Sequence, residues 1–349
     1  MEDRNFKGVS RTRLSLISRS ADFGRIIGAS VVFYGHIGIF TGYPLWQWGE
    51  YAVAFFILLS GVAYTGFSSA KPIGFASYKR YITARVGAIF PTFLIINCGI
   101  FAASFCYPSA AGRPFTFTEF LLSSGGLSQY CGHRYLSAVM WFVPFIVQAY
   151  ILFPPIDAIL NRISAPLVIL AAFAVSLSLI VLVFMAWPLH ATEICRNWSV
   201  VFRLPEVCVG LILGRCTLRR SDFRGGSIAL ATFALLSFTL ATAFSSRFGH
   251  SAYILSLPWN GLIVTLVISA ASISAAAMLG NSNETQVLRL AGKASFPFFL
   301  AHGIAILFVF RRFGTLVTPW VLYFAFCWCA AIIFTGSFRY AARTRAPAA

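Results

Sequence analysis

Apolar stretches long enough to cross a lipid bilayer recur from residue 24 to residue 338, with few charges inside them. A helix needs about 20 apolar residues to span the hydrocarbon. Inside it, every backbone N–H and C=O must find its partner within the segment, which for a single stretch means an α-helix. Ten such stretches are expected, at 24–42, 51–69, 86–106, 136–156, 166–187, 199–215, 227–244, 252–279, 294–310 and 319–338. The eighth is long for one crossing and is expected to end early, with a polar tail through NSNET. Charged residues make up 11% of the chain, against about 25% in a soluble domain. The fold class is therefore all-α: a polytopic transmembrane helical bundle of about ten spans.

The net charge is +17. Such a surplus also marks nucleic-acid binders, but here the Lys and Arg fall between apolar runs, as membrane orientation requires, and no nucleic-acid partner is expected. With the N-terminus inside, 20 of the 27 Lys/Arg lie on the inner side. The bias predicts N-in and C-in. Residues 1–23 then form a cytoplasmic lead-in, 24–338 the transmembrane domain and 339–349 a basic cytoplasmic tail. The first apolar run is followed at once by a second, which argues against a cleavable signal peptide. The longest outer connection, about 107–135, exceeds a plain turn and is a candidate substrate mouth. The eight cysteines show no metal-ligand spacing, and the spacing of Cys106, Cys131 and Cys195 on the outer side specifies no disulfide.

The first stretch, DFGRIIGASVVFYGHIGIF, carries two ionisable groups, Arg25 and His36. Such groups are costly inside a span and mark a working site by default. Eleven residues turn a helix about 20° past three full turns and raise it roughly 16 Å. The two side chains therefore share one face, with His36 about half a bilayer deeper than Arg25. A neutral imidazole there can take a proton from an attacking hydroxyl. Taken alone, a histidine in an apolar helix is more often an interhelical hydrogen-bond partner; its phase with Arg25 brings the two readings level.

Further segments strengthen the case. The Arg-x10-His spacing resembles the first-helix signature of the membrane acyltransferase-3 family. In the same order follow FFILLSG (Phe55 to Gly61), RVGAIFP (Arg85 to Pro91), WFVPFIVQAYILFP (Trp141 to Pro154), RLPEVCVGLILG (Arg203 to Gly214) and GKASFPFFLAH (Gly292 to His302). Each resembles a helix motif of that family, and together they cover most of the chain. One departure stands out: where the family often has a second arginine three before the proline, this chain has Ala88, so Arg80 or Lys79 is the candidate substitute.

The resemblance implies transfer of an acyl group, acetyl first and succinyl second, from cytoplasmic acyl-CoA to a sugar hydroxyl. The expected acceptor is an exopolysaccharide, another envelope glycan or its lipid-linked oligosaccharide precursor, and the expected setting is a bacterial inner membrane. Acyl-CoA is then a co-substrate, and no metal or tightly bound cofactor is called for. His36 is the candidate general base. Arg25, Arg80 and Arg85 are candidates for the CoA phosphates, since guanidinium forks suit phosphate; contact with lipid headgroups serves Arg80 and Arg85 equally well. Glu206 and His302 are candidate substrate-binding residues. Glu206 lies three residues after Arg203, where the two can neutralise each other, a reading preferred over a proton relay with His36; His302 is placed to bind substrate or orient His36, and a packing hydrogen bond serves it equally well. Glu50, at the expected outer start of the second span, is a candidate for touching an acceptor sugar, and an exposed interface charge is an equal reading. The rival class is a transporter or glycan-lipid flippase, which a mid-membrane site among many helices also suits.

Overall fold

The structure is a computed structural model. It describes residues 11–41, 46–67, 75–106, 113–137, 139–187, 194–195, 199–219, 223–245, 252–278, 284–313 and 317–344. Among these it is all-helical, with no strand. Eleven α-helices follow one another: α1 (Arg11–Thr41), α2 (Trp46–Phe67), α3 (Phe75–Cys106), α4 (Phe117–Ser124), α5 (Phe142–Leu160), α6 (Ala165–Ala186), α7 (Leu204–Gly214), α8 (Phe223–Ser245), α9 (Ala252–Met278), α10 (Glu284–Phe313) and α11 (Val317–Thr344).

Six helices among the described residues are long and apolar enough to cross a membrane, over Trp48–Gly66, Ala76–Cys106, Phe142–Leu160, Ala165–Ala186, Asn260–Met278 and Trp320–Ser337. α1 is not among them; Ser20, Asp22, Arg25, Ser30 and His36 interrupt its apolar residues. α1 also begins by Arg11, well before the expected start near residue 24. α9 runs on to Met278 instead of ending early. Prolines sit inside α3 (Pro91), α5 (Pro154, Pro155) and α10 (Pro297); spanning helices tolerate them because neighbouring groups re-satisfy the freed carbonyls.

The stretch expected as a single sixth span is three pieces: a 3-10 turn at Val200–Arg203, α7, and a π-helical turn at Arg215–Arg219. α7 carries Pro at its first turn, where the missing N–H costs nothing. Almost every residue of α7 is buried, as an all-round apolar helix must be.

Contacts divide the chain into two units. The first contains Val53–Ile89 and Trp141–Thr265; the second contains Arg11–Ala52, Phe90–Met140 and Leu266–Ala349. In the first unit, α2 and α7 cross backbone to backbone. A Cβ on Gly61 would lie 2.7 Å from the Gly210 carbonyl carbon, and one on Gly210 would lie 2.8 Å from Leu58 O. Small residues permit this approach, which explains the glycines of the two motifs. The same unit holds a buried polar knot: Arg215 donates to both the side chain and the backbone carbonyl of Asp157, and also to Leu160 O and Asn161. Gln148 Oε1 accepts from the Ser199 hydroxyl at 3.1 Å and from Val200 N–H at 3.2 Å, fixing the start of the 3-10 turn.

In the second unit, α1, α10 and α11 pack through aromatic rings. Phe298 stacks on Trp328 at 4.3 Å, and Phe33 meets Phe324 edge-on at 5.1 Å. The described part of the connection expected on the outer side (113–135) contains α4, started by a capping box between Thr116 and Glu119. Glu119 is 3% exposed and binds the guanidinium of Arg113 at two points and Arg134 at a third. All eight cysteines are free thiols.

Candidate functional site

α1 continues unbroken from Arg11 to Thr41, so Arg25 and His36 belong to one rod and the three-turn phase relation applies. His36 is partly exposed; His302, on α10, is completely buried. The structure brings them together: His302 Nε2 lies 3.2 Å from His36 Nδ1.

The surrounding carbonyls decide which nitrogens carry hydrogen. His36 Nδ1 is 2.9 Å from Val32 O, and His302 Nδ1 is 3.3 Å from Phe298 O. A carbonyl oxygen only accepts, so each Nδ1 is the N–H of a neutral ring. His302 Nε2 then presents a lone pair to the His36 Nδ1–H. The lone pair of His36 falls on Nε2, which is the nitrogen able to take a proton. A proton arriving there leaves His36 cationic, with its Nδ1–H still donated to the His302 lone pair. The second histidine thus stands where a carboxylate stands in a hydrolytic triad, fixing tautomer and orientation. Phe33, Phe298 and Phe299 wall His302, with ring centroids 5.8, 5.8 and 5.5 Å away.

α1 and α10 meet at two levels. Besides the histidine pair, Asp22 of α1 lies against Gly292 of α10, where a Cβ would be 2.6 Å from Asp22 Cβ. Both contacts advance in the same chain direction, so the helices are parallel. Arg25 is held by Asp22, Nη1 to Oδ1 at 2.8 Å. The turn of α1 just before His36 also receives α2: a Cβ on Gly49 would sit 3.3 Å from Val32 O and 3.4 Å from Gly35 Cα. The next residue, Glu50, is 8% exposed, so it is buried and not an exposed interface charge. Beyond His302, Gly303 packs on the buried Ser137 hydroxyl, which has no partner among the described residues.

The remaining sequence candidates belong to the first unit. Arg80 is exposed on α3. Arg85 lies over the Tyr81 ring at 5.5 Å and donates to Ala63 O at 3.5 Å. Glu206 is 1% exposed, and Arg203 forks onto both of its oxygens; this geometry favours mutual neutralisation. Three groups were not singled out from the sequence. Asp22 had a signal, since an acid three residues before Arg25 is a helical ion-pair spacing. Glu119 had one too, since Thr-x-x-Glu before an apolar run is a capping-box pattern. Asp157 had none, because its partner Arg215 is 58 residues away.

A family model described as an acyltransferase domain matches residues 19–338, nearly the whole chain. No curated protein and no solved structure matches significantly. The matched region contains both histidines and every glycine contact described above. The chain is therefore a multi-pass membrane protein of the acyltransferase 3 family.

Proposed function

We propose that this protein transfers an acyl group, acetyl in the first instance, from cytoplasmic acyl-CoA to a sugar hydroxyl of an exopolysaccharide or other envelope glycan in a bacterial inner membrane. The observation that carries the reading is the His36–His302 pair at 3.2 Å, on a helix whose Arg25 lies three turns away, in a chain of this family. His36 Nε2 accepts the proton of the sugar hydroxyl as its oxygen attacks the thioester carbonyl. The C–O bond forms, the C–S bond breaks, and the proton returns from His36 to the departing thiolate. His302 holds His36 in the correct tautomer and takes part of the charge through the Nδ1–H. Arg25 is the anchor for the donor's phosphates, and Arg80 and Arg85, on α3, are separate candidates for contact with them.

The test is release of CoA thiol from acetyl-CoA by purified protein with the glycan acceptor. The His36→Ala variant, folded and inserted, is expected to lose at least 100-fold in rate, the low end of what a positioned base contributes, about 10²–10⁴. Undiminished turnover would refute the role. Mass analysis of envelope glycans from cells with and without the protein reads the acyl group and its acceptor directly.

A further inference from the structure

The Asp22 end of the α1–α10 seam gathers cations around a single acid. Asp22 is 5% exposed and already takes an N–H from Arg25. Gly292 lies so close that its missing Cβ would be 2.9 Å from Asp22 Cα. Lys293 follows Gly292 directly, and Arg289 precedes it by about one turn, on nearly the same face of α10. Both side chains are exposed, and both act on the Asp22 carboxylate through space. Three cations from two helices therefore act on one carboxylate, and these four side chains together carry a net positive charge, which suits an anionic ligand. The two helices run parallel, so these cations share one end of the seam. Nine residues up α10, roughly 14 Å, is His302; eleven up α1, roughly 16 Å, is His36. An anionic group held at the cations thus lies a fixed, similar distance from both rings.

We propose that Arg289 and Lys293 join Arg25 in binding a phosphate group of the acyl donor, with Asp22 as the positioning residue that holds Arg25. The inference rests on the acyl-CoA reading above and adds to it a phosphate site on α10. Asp22 engages Nη1 of Arg25 and so fixes the plane of the guanidinium; its other N–H edges face a phosphate as a preset fork. Arg289 and Lys293 add charge-assisted hydrogen bonds from the neighbouring helix. Gly292 is required because any side chain there would push α10 off Asp22 and separate the two sets of cations.

A phosphate group on a membrane protein has two sources, the donor or an anionic lipid headgroup, and the experiment separates them. CoA, 3′-dephospho-CoA and adenosine 3′,5′-bisphosphate are titrated calorimetrically into wild type and the Arg289→Gln/Lys293→Gln double variant, in nanodiscs of neutral lipid. CoA binding is expected to weaken about tenfold in the double variant, and the charge-keeping Arg289→Lys/Lys293→Arg variant to bind nearly as wild type. In turnover, the KM for acyl-CoA rises by a similar factor while kcat changes less. Selective loss of the preference for CoA over 3′-dephospho-CoA assigns the cluster to the ribose phosphate; an equal loss for both assigns it to the pyrophosphate. Equal CoA affinity in wild type and double variant overturns the proposal. So does a double variant that, compared in nanodiscs made with and without phosphatidylglycerol, loses only the wild type's dependence on that lipid, since the site then belongs to a lipid. Wild type that turns over acyl-CoA, with KM unaltered in the double variant, overturns this inference alone. Wild type that neither binds CoA nor uses acyl-CoA overturns both.

Discussion

In the proposed reaction one base suffices, and His302 is the group that steadies it. The His36 Nδ1–H already has the Val32 carbonyl, so it is the charged ring, formed mid-reaction, that gains most from a second acceptor. A hydrogen bond to a charged group contributes about 1.5–3 kcal/mol, or about ten- to a hundredfold in rate. His302→Leu is therefore expected to lower kcat by that factor with little change in the KM for either substrate. His302→Gln, whose amide oxygen can still accept, is expected to recover part of it. Steady-state kinetics on matched, folded preparations reads the difference. A fall in KM-determined affinity with kcat intact would instead assign His302 to substrate binding. Helix spacing pointed to His36 and the family resemblance to His302, but neither fixed their contact, because 266 residues separate them.

At the scale of elements, two local devices hold helices in place, one in each unit. The first is the α2–α7 crossing. Gly210→Ala puts a methyl group into the Leu58 backbone and is expected to destabilise by about 1–3 kcal/mol, the usual cost of overpacking. Gly99→Ala on α3 meets nothing within 4 Å and is the matched control, neutral or slightly stabilising. Thermal unfolding in detergent compares them. The second is the cap of α4. Burial by itself would raise the Glu119 carboxyl, but the Thr116 N–H and the Arg113 and Arg134 guanidiniums outweigh it and hold it at about 2. A carboxylate lowered in the folded state stabilises it fully above its ordinary value of 4.5, and that contribution fades as pH falls toward 2. Glu119→Gln is thus expected to lower the melting temperature at neutral pH and to flatten its fall between those two values. A variant that keeps the wild-type slope would show that other carboxylates govern it.

For the whole molecule, the positive-inside count carries a test of its own. If the termini are cytoplasmic, the α4 segment faces outward. In a variant keeping Cys131 as the sole cysteine, that exposed thiol is expected to react with a membrane-impermeant maleimide on intact spheroplasts. Labelling only after permeabilisation would invert the topology. The helical class and the membrane setting were legible in the sequence because each apolar stretch must satisfy its own backbone in lipid, a local requirement that local residues meet. Arg25 and His36 were legible for the same reason, since one helix fixes their phase. The extent of the sixth span was not: its break into a 3-10 turn, a buried α7 and a π turn depends on Gln148 and on the Gly61 contact, both remote in the chain. Asp22 against Gly292, Asp157 with Arg215 and His36 with His302 are likewise pairings between distant segments. Periodicity along one helix says which face a residue occupies; only packing between helices decides what that face meets, and that packing is what brings two lone histidines within 3.2 Å of each other.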